Sequence, residues 1–308
     1  MARPDDGLVP ADRGGGEGLD ALRALVVFAH PELAGATFRL LTAGWDCVAL
    51  DVDDRLIVKV PRDGGAAAAL EAEARLLDLV RPSVSLPVPD LALFREPRLH
   101  SCHAKLPGEH LQPADYAALP EAARDRLAED LGRFLAELHA IPVAAARAAG
   151  APTEPPWPGL DGVASRALPR LPGDARRSGQ AVLDAFARLG PDPLGERFGH
   201  FDAHGWNMAW DHGAQRLNGL YDFGDAGIGG PHLEMVAVSL VGADLAARVA
   251  AAYGRRTGRA IDLGRVAVLA GAWRLRELAE EADSPDPFTL RQARRWVERG
   301  ARALNGRP

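Results

Sequence analysis

Between residues 199 and 225 the chain reads Gly-His-Phe-Asp-Ala-His-Gly-Trp-Asn and, a short way on, Tyr-Asp-Phe-Gly-Asp. The pattern is His200-x-Asp202, four spacer residues, Asn207, a hairpin's worth of chain, then Asp222-Phe223-Gly224. A carboxylate such as Asp202 can accept the proton of a substrate hydroxyl. Asn207 and Asp222 offer hard oxygen donors. Magnesium takes one or two such ligands from protein and fills the rest from phosphate and water. The chemistry this suits is phosphoryl transfer, in which one side chain aims the nucleophile and a held cation neutralises phosphate charge. Asp202 as a helix cap, or residues 222–225 as a plain turn, would each be ordinary alone. Both in this order and at this gap are hard to read as packing.

The elements that must position these residues follow from the local pattern. Met208 to Trp210 reads as a short strand, Asp211-His212-Gly213-Ala214 as a turn, and Leu217 to Tyr221 as the return strand, which carries Asp222 back beside Asn207. Upstream, Thr37 to Leu41, Cys47 to Val52 and Leu56 to Val60 read as strands, with Leu91 to Phe94 and His100 to Lys105 as further ones. Helices are expected at Leu19 to Phe28 and Ala66 to Val80. After Pro107-Gly108 the pattern turns helical: Ala122 to Ala140, with Leu127, Leu131, Phe134, Leu135 and Leu138 on one face, then Ala175 to Leu189 with Asp174 as its cap. Pro152 to Gly159 reads as a Pro-rich loop, and Leu233 to Tyr253, Leu263 to Ala282 and Pro287 to Leu304 as mostly helical. The fold class is therefore α+β and bilobed: a disordered tail (1–18), an N-terminal lobe with a small antiparallel sheet and one helix (19–105), and a larger, mainly helical lobe (106–308).

Within Leu56-Ile57-Val58-Lys59-Val60, a lysine among β-branched residues is costly unless its charge finds a partner. Phosphates and a carboxylate from the next helix, Glu71 or Glu73, would supply one. The only mark of a phosphate-covering turn is Gly44, where backbone amides could cradle an anion.

Composition narrows the classes. The chain has 308 residues, 47% of them hydrophobic, and a formal net charge of -6. That charge argues against a nucleic-acid partner, which asks for a basic footprint. No apolar run reaches the roughly 18 residues a membrane span needs. Cys47 and Cys102 are too few for a disulfide framework and fit a reducing cytoplasm. The Gly- and Asp-rich start has no apolar core of the signal-peptide kind.

Taken together, Gly44-Trp45-Asp46, Val58-Lys59-Val60-Pro61-Arg62, Leu86-Pro87-Val88-Pro89, Lys105-Leu106-Pro107-Gly108, Phe134-Leu135-Ala136-Glu137-Leu138-His139, the His200 loop and residues 222–231 resemble the aminoglycoside phosphotransferase family, which shares the protein-kinase-like fold. The Lys-Leu-Pro-Gly and Phe-Leu-x-x-Leu-His stretches look most like the 2''-phosphotransferases. The resemblance implies Asp202 as catalytic base or hydroxyl-orienting carboxylate, and Asn207 and Asp222 as magnesium ligands. It implies Lys59 on the α/β-phosphates of ATP or GTP, with Glu73 orienting it. Glu73 is preferred over Glu71 because Glu73-Ala74-Arg75-Leu76-Leu77 sits like the Glu-x-x-Leu-Leu pattern of small-molecule kinases. His200 would hold the loop by hydrogen bonds, and nucleotide would lie between the lobes near Lys105 to Gly108. Phe201 stands where the family usually has Gly, Gly230 where an Asp often precedes the Pro, and His204-Gly205-Trp206 in place of the commoner His-Pro-Gly. The bulk of Phe201 and Trp206 is expected on the substrate side.

For the acceptor, Glu277, Glu280 and Glu281 share a helix face by i, i+3, i+4 spacing and could meet the ammonium groups of an amino sugar. The alternative is a solvated face paired with Arg274 and Arg276. Trp273 could be core or stack on a sugar ring. An aminoglycoside kinase predicts that this acidic helix faces the cleft. A kinase for a macrolide or a metabolite hydroxyl predicts an apolar pocket lined by Phe201, Trp206 and Trp273. A nucleotide-binding pseudokinase is disfavoured by the intact Lys59, Asp202, Asn207 and Asp222.

Overall fold

The computed structural model describes residues 18–41, 46–153, 160–281 and 286–306. Most of the expected tail, the Gly44 turn and residues 154–159 of the Pro-rich loop lie outside the described residues.

Helix α1 (Leu19–Ala29) leads into an antiparallel sheet of β1 (Phe38–Leu41), β2 (Cys47–Val52), β3 (Leu56–Pro61) and, after α2 (Gly64–Val80), β4 (Ala92–Phe94) and β5 (His100–Ala104). The strand order is β1-β2-β3-β5-β4. Strand alternation sorts β3 into two faces. Val58 and Val60 are fully buried in a cluster with Leu22, Val26, Leu50 and Val52, so α1 covers that side. Lys59 between them points to the opposite face, toward α2. Helix α2 begins where the Asp63 carboxylate accepts the Ala66 amide at 2.8 Å, an N-cap that satisfies one of its orphan donors. Its buried face carries Leu70, Ala74 and Leu77 and, among them, Glu73.

The rest of the chain is mainly helical, as the fold class requires. It comprises α3 (Pro113–Ala118), α4 (Glu121–Ala140), α5 (Val143–Ala149), α6 (Val163–Ala167), α7 (Gly173–Arg188), α8 (Pro231–Val241), α9 (Ala243–Thr257), α10 (Leu263–Glu280) and α11 (Pro287–Leu304). Two small strand pairs sit among them, β6 (Arg197–Gly199) with β9 (Gly227–Gly229) and β7 (Met208–Asp211) with β8 (Arg216–Leu220). The apolar stripe of α4 is buried at each expected position and packs on α9. No helix among the described residues is long and apolar enough to cross a membrane, and both cysteines are free.

One expectation is corrected, and one is refined. Asp174 does not cap α7: the helix starts at Gly173 after Pro172, and Asp174 lies in its first turn paired with Arg177. A carboxylate there still suits the positive end of the helix dipole. The run from Leu233 to Tyr253 is two helices, broken at Gly242. Helices α3, α5 and α6 escaped notice because five to seven residues are too few to show a helical period.

Candidate active site

The sheet and the hairpin bring Lys59, Glu73 and Asp222 together. Lys59 Nζ donates to Glu73 Oε1 at 2.9 Å and Oε2 at 3.1 Å, and to Asp222 Oδ1 at 3.1 Å. Glu73 Oε1 also accepts the backbone N–H of Phe223 at 3.2 Å, so one carboxylate ties β3 to the Asp-Phe-Gly turn. Glu71 instead pairs with Arg95, which decides between the two candidate acids. Burial by itself would lower the Lys59 pKa, but Glu73 and then Asp222 outweigh it and raise it. Lys59 in turn holds Asp222 below the ordinary carboxylate value. A buried pair of this kind is weak evidence for stability. Its value is that the ammonium is held charged at one place.

Asp202 and Asn207 lie on one loop and touch: Asn207 Nδ2 donates to Asp202 Oδ2 at 2.6 Å and to the Asp202 carbonyl at 2.9 Å. His204 Nε2 lies 3.2 Å from the other carboxylate oxygen. Burial pushes His204 down to about 4, so the ring is neutral at neutral pH. His200 plays the structural part expected of it. Its Nδ1 accepts the Asp202 N–H at 3.2 Å, which leaves Nε2–H to donate to the Tyr221 carbonyl at 3.1 Å.

The residue the sequence undersold is Glu234 on α8. It is fully buried and accepts the backbone N–H groups of His200 at 2.9 Å and Phe201 at 3.0 Å. His139 Nε2 lies 3.7 Å from it, and His139 Nδ1 is 2.9 Å from the Tyr253 hydroxyl. A lone acid in the apolar run from Leu233 to Val241 was the available signal, since burying it requires partners. Glu234 also accounts for Phe201, whose φ of 59° is left-handed backbone that a bulky residue adopts only when its surroundings over-determine it. The Phe201 ring has its own packing partners. It packs on the glycines of β6 and β9: a Cβ at Gly229 would come within 2.8 Å of the ring, and one at Gly199 would also strike the Glu234 carboxylate. Gly199→Ala should therefore cost about 1–3 kcal/mol of stability, the usual range for overpacking. Urea unfolding checks this, and a variant as stable as the wild type would show that the loop is not so held.

The departure at Gly230 also finds its explanation. The N-terminus of α8 is capped from another segment: Asp192 accepts the His232 amide at 3.0 Å and the His232 ring Nδ1 at 2.8 Å. The Asp192 carboxylate fills the space a side chain at 230 would need.

Trp206 lies on the same loop as Asp202 and Asn207, and the α10 residues lie near enough that the Arg274 charge acts on His204. Trp206 stands edge-on to His204, with ring centroids 6.1 Å apart. Glu277 accepts from Trp273 Nε1 at 2.8 Å and Arg274 Nη1 at 2.6 Å, and Glu280 from Arg276 at 2.7 Å. Glu281 accepts from the Asp286 amide at 2.9 Å and Thr289 Oγ1 at 2.5 Å. Each acid thus has partners on α10 or at the start of α11: Arg274 and Arg276 for Glu277 and Glu280, Asp286 and Thr289 for Glu281. Lys105 turns away to Asp51 (2.7 Å) and Asp54, staking the connection to the β-lobe.

The donor set suits magnesium. Asn207 spends its N–H₂ on Asp202, which leaves its amide oxygen for a hard cation, and Asp222 adds a carboxylate. Among the described residues no group of three His, Cys, Asp or Glu side chains forms a closed metal cage. A site of one or two protein oxygens completed by phosphate and water is the magnesium pattern.

Curated proteins give no match. Among solved structures, the GDP and kanamycin complex of APH(2")-IIia superposes with a TM-score of 0.74 at 22% identity, covering 92% of this chain and 99% of that one. The GDP complex of wild-type aminoglycoside 2'-phosphotransferase-IIIa gives 0.73 at 22% identity, over 94% and 100%. Macrolide 2'-phosphotransferase MphH from Brachybacterium faecium gives 0.64 at 22% identity, over 94% and 99%. At such identities the likeness speaks for the fold. The family model for the phosphotransferase enzyme family, APH, matches residues 37–269, so the chain belongs to that family and is a phosphotransferase with an alcohol group as acceptor.

Proposed function

We propose that this protein transfers the γ-phosphoryl group of ATP or GTP, with magnesium, to a hydroxyl of an aminoglycoside. The observation that carries the chemistry is two sets of contacts, Lys59 held by Glu73 and Asp222 and Asp202 held by Asn207, joined where the Tyr221 N–H meets the Asn207 carbonyl. Asp202 accepts the acceptor's proton or aims its hydroxyl in line with the γ-phosphorus. When nucleotide binds, Lys59 exchanges Asp222 for α/β-phosphate oxygens while Glu73 keeps it aimed. Asp222 and Asn207 would hold magnesium, which neutralises charge on the phosphates. A pseudokinase is disfavoured because none of these side chains is lost.

The aminoglycoside reading draws on the similarity to a kanamycin complex and on Asp225, which with Asp222 adds negative charge beside Asp202. In that role the protein would act in the cytoplasm as a resistance enzyme. A second reading, a macrolide or metabolite hydroxyl as acceptor, is favoured by the pairing of Glu277, Glu280 and Glu281 with partners of their own. The test is nucleotide consumption with magnesium and ATP or GTP against aminoglycosides, macrolides and amino alcohols. We expect turnover with an aminoglycoside. Turnover only with a macrolide or another alcohol moves the acceptor to the second reading, and tight nucleotide binding without turnover on any acceptor places the true acceptor outside the panel or revives the pseudokinase.

A further inference from the structure

Tyr221 is the residue immediately before Asp222, and its bonds run to the loop that carries Asn207. Its backbone N–H donates to the Asn207 carbonyl at 3.1 Å, extending the β7–β8 hairpin by one pair beyond Met208 and Leu220. Its hydroxyl donates to the Trp206 carbonyl at 2.7 Å. The same hydroxyl lies 2.8 Å from Nδ1 of His110. With the phenol proton committed to Trp206, His110 Nδ1–H is the donor in that contact. His110 follows the chain connection between sheet and helices, so three segments meet at one phenol oxygen.

The next residue leaves the hairpin. Asp222 has a φ of 64°, left-handed backbone in which the chain turns sharply. Asp tolerates this region better than most residues, yet it is held there only if its flanks are fixed. On the far side the flank is the Phe223 amide on Glu73. On the near side it is Tyr221, through one backbone and one side-chain bond to consecutive carbonyls. The Trp206 carbonyl leads directly into Asn207, so the phenol joins the chain just before one proposed ligand to the chain just before the other.

We infer that Tyr221 is a positioning residue that sets the separation of Asn207 and Asp222, and so tunes affinity for the magnesium form of the nucleotide rather than for nucleotide itself. This rests on the proposed roles of Asn207 and Asp222. Tyr221→Phe keeps the ring and removes only the bridging hydroxyl. The net worth of one such hydrogen bond corresponds to roughly fivefold in affinity.

Calorimetric titration of ADP into the full chain, once with excess magnesium and once with a chelator, tests this. In Tyr221→Phe the dissociation constant in magnesium should rise about fivefold, with the value in chelator within about twofold of wild type. His110→Phe, which leaves the Tyr221–Trp206 bond, should show the smaller rise of the two. An equal loss in both conditions would mean a general disturbance of the cleft, and no change in either would mean that the phenol positions nothing; each overturns the inference. If wild-type ADP binding itself ignores magnesium, the ligand roles of Asn207 and Asp222 fail and the inference falls with them. A magnesium effect in wild type that Tyr221→Phe leaves intact removes the inference alone.

Discussion

Asp202→Asn should lower kcat by roughly 10²–10⁴-fold, the span of a positioned general base, while leaving nucleotide affinity nearly unchanged. The substitution keeps an oxygen for Asn207 to bond and removes only the carboxylate's basicity. Stability should move the other way. Burial first, then Asp225 and Asp222, push the Asp202 carboxyl from its ordinary 3.8 up to about 8. For an acid raised on folding, the unfolded chain ionises first, so the folded state loses stability as pH rises from the lower value to the upper. Below about pH 4 the carboxyl is neutral in both states and Asn should be equivalent. From there to about pH 8 the variant should gain stability over wild type. Steady-state kinetics on an accepted substrate, with urea unfolding in chelator at pH 5 and pH 8, separate the two effects. Full activity would remove Asp202 from the mechanism. An equal destabilisation at both pH values would mean that the half-buried carboxylate is not costly.

Asp222→Ala should raise the dissociation constant for magnesium nucleotide by about 100-fold or more, because partners one step removed from a metal already contribute 10–100-fold. The loss should be confined to the magnesium form. Lys59 keeps both its bonds to Glu73 and remains charged, so nucleotide binding in chelator should change little. Calorimetry with ADP in the presence and absence of magnesium reads this directly. Unchanged affinity in magnesium would take Asp222 out of the proposed ligand set and leave it only as a partner of Lys59.

The chemistry was legible early because phosphoryl transfer asks for a few oxygen donors and one lysine in a set order along the chain. The residues Lys59, Glu73, Asp202, Asn207 and Asp222 announce themselves by type and spacing, and the structure brings them together. The β-lobe was legible for a similar reason. Strand alternation and short turns are local, and the period of α4 is long enough to read without its neighbours. Glu73 over Glu71 is the intermediate case, since pattern suggested it and only the pairing of Glu71 with Arg95 settled it.

What lay beyond the sequence has long-range partners. Glu234 reaches back to the amides of His200 and Phe201, and Asp192 caps a helix that begins at Pro231. Neither bond leaves a trace in local periodicity, because donor and acceptor are more than thirty residues apart. The direction of Phe201 likewise depended on two glycines, one of them on a strand from another part of the chain. The acidic face of α10 shows the opposite limit. Its spacing permits both a substrate surface and a self-paired surface, and the partners of Glu277, Glu280 and Glu281 follow from where Trp273, Arg274, Arg276 and Thr289 fall. Order along the chain determined which groups could do chemistry here. Packing between distant segments decided how tightly they are held and which charges are already neutralised, because burial and pairing depend on neighbours that sequence distance does not reveal.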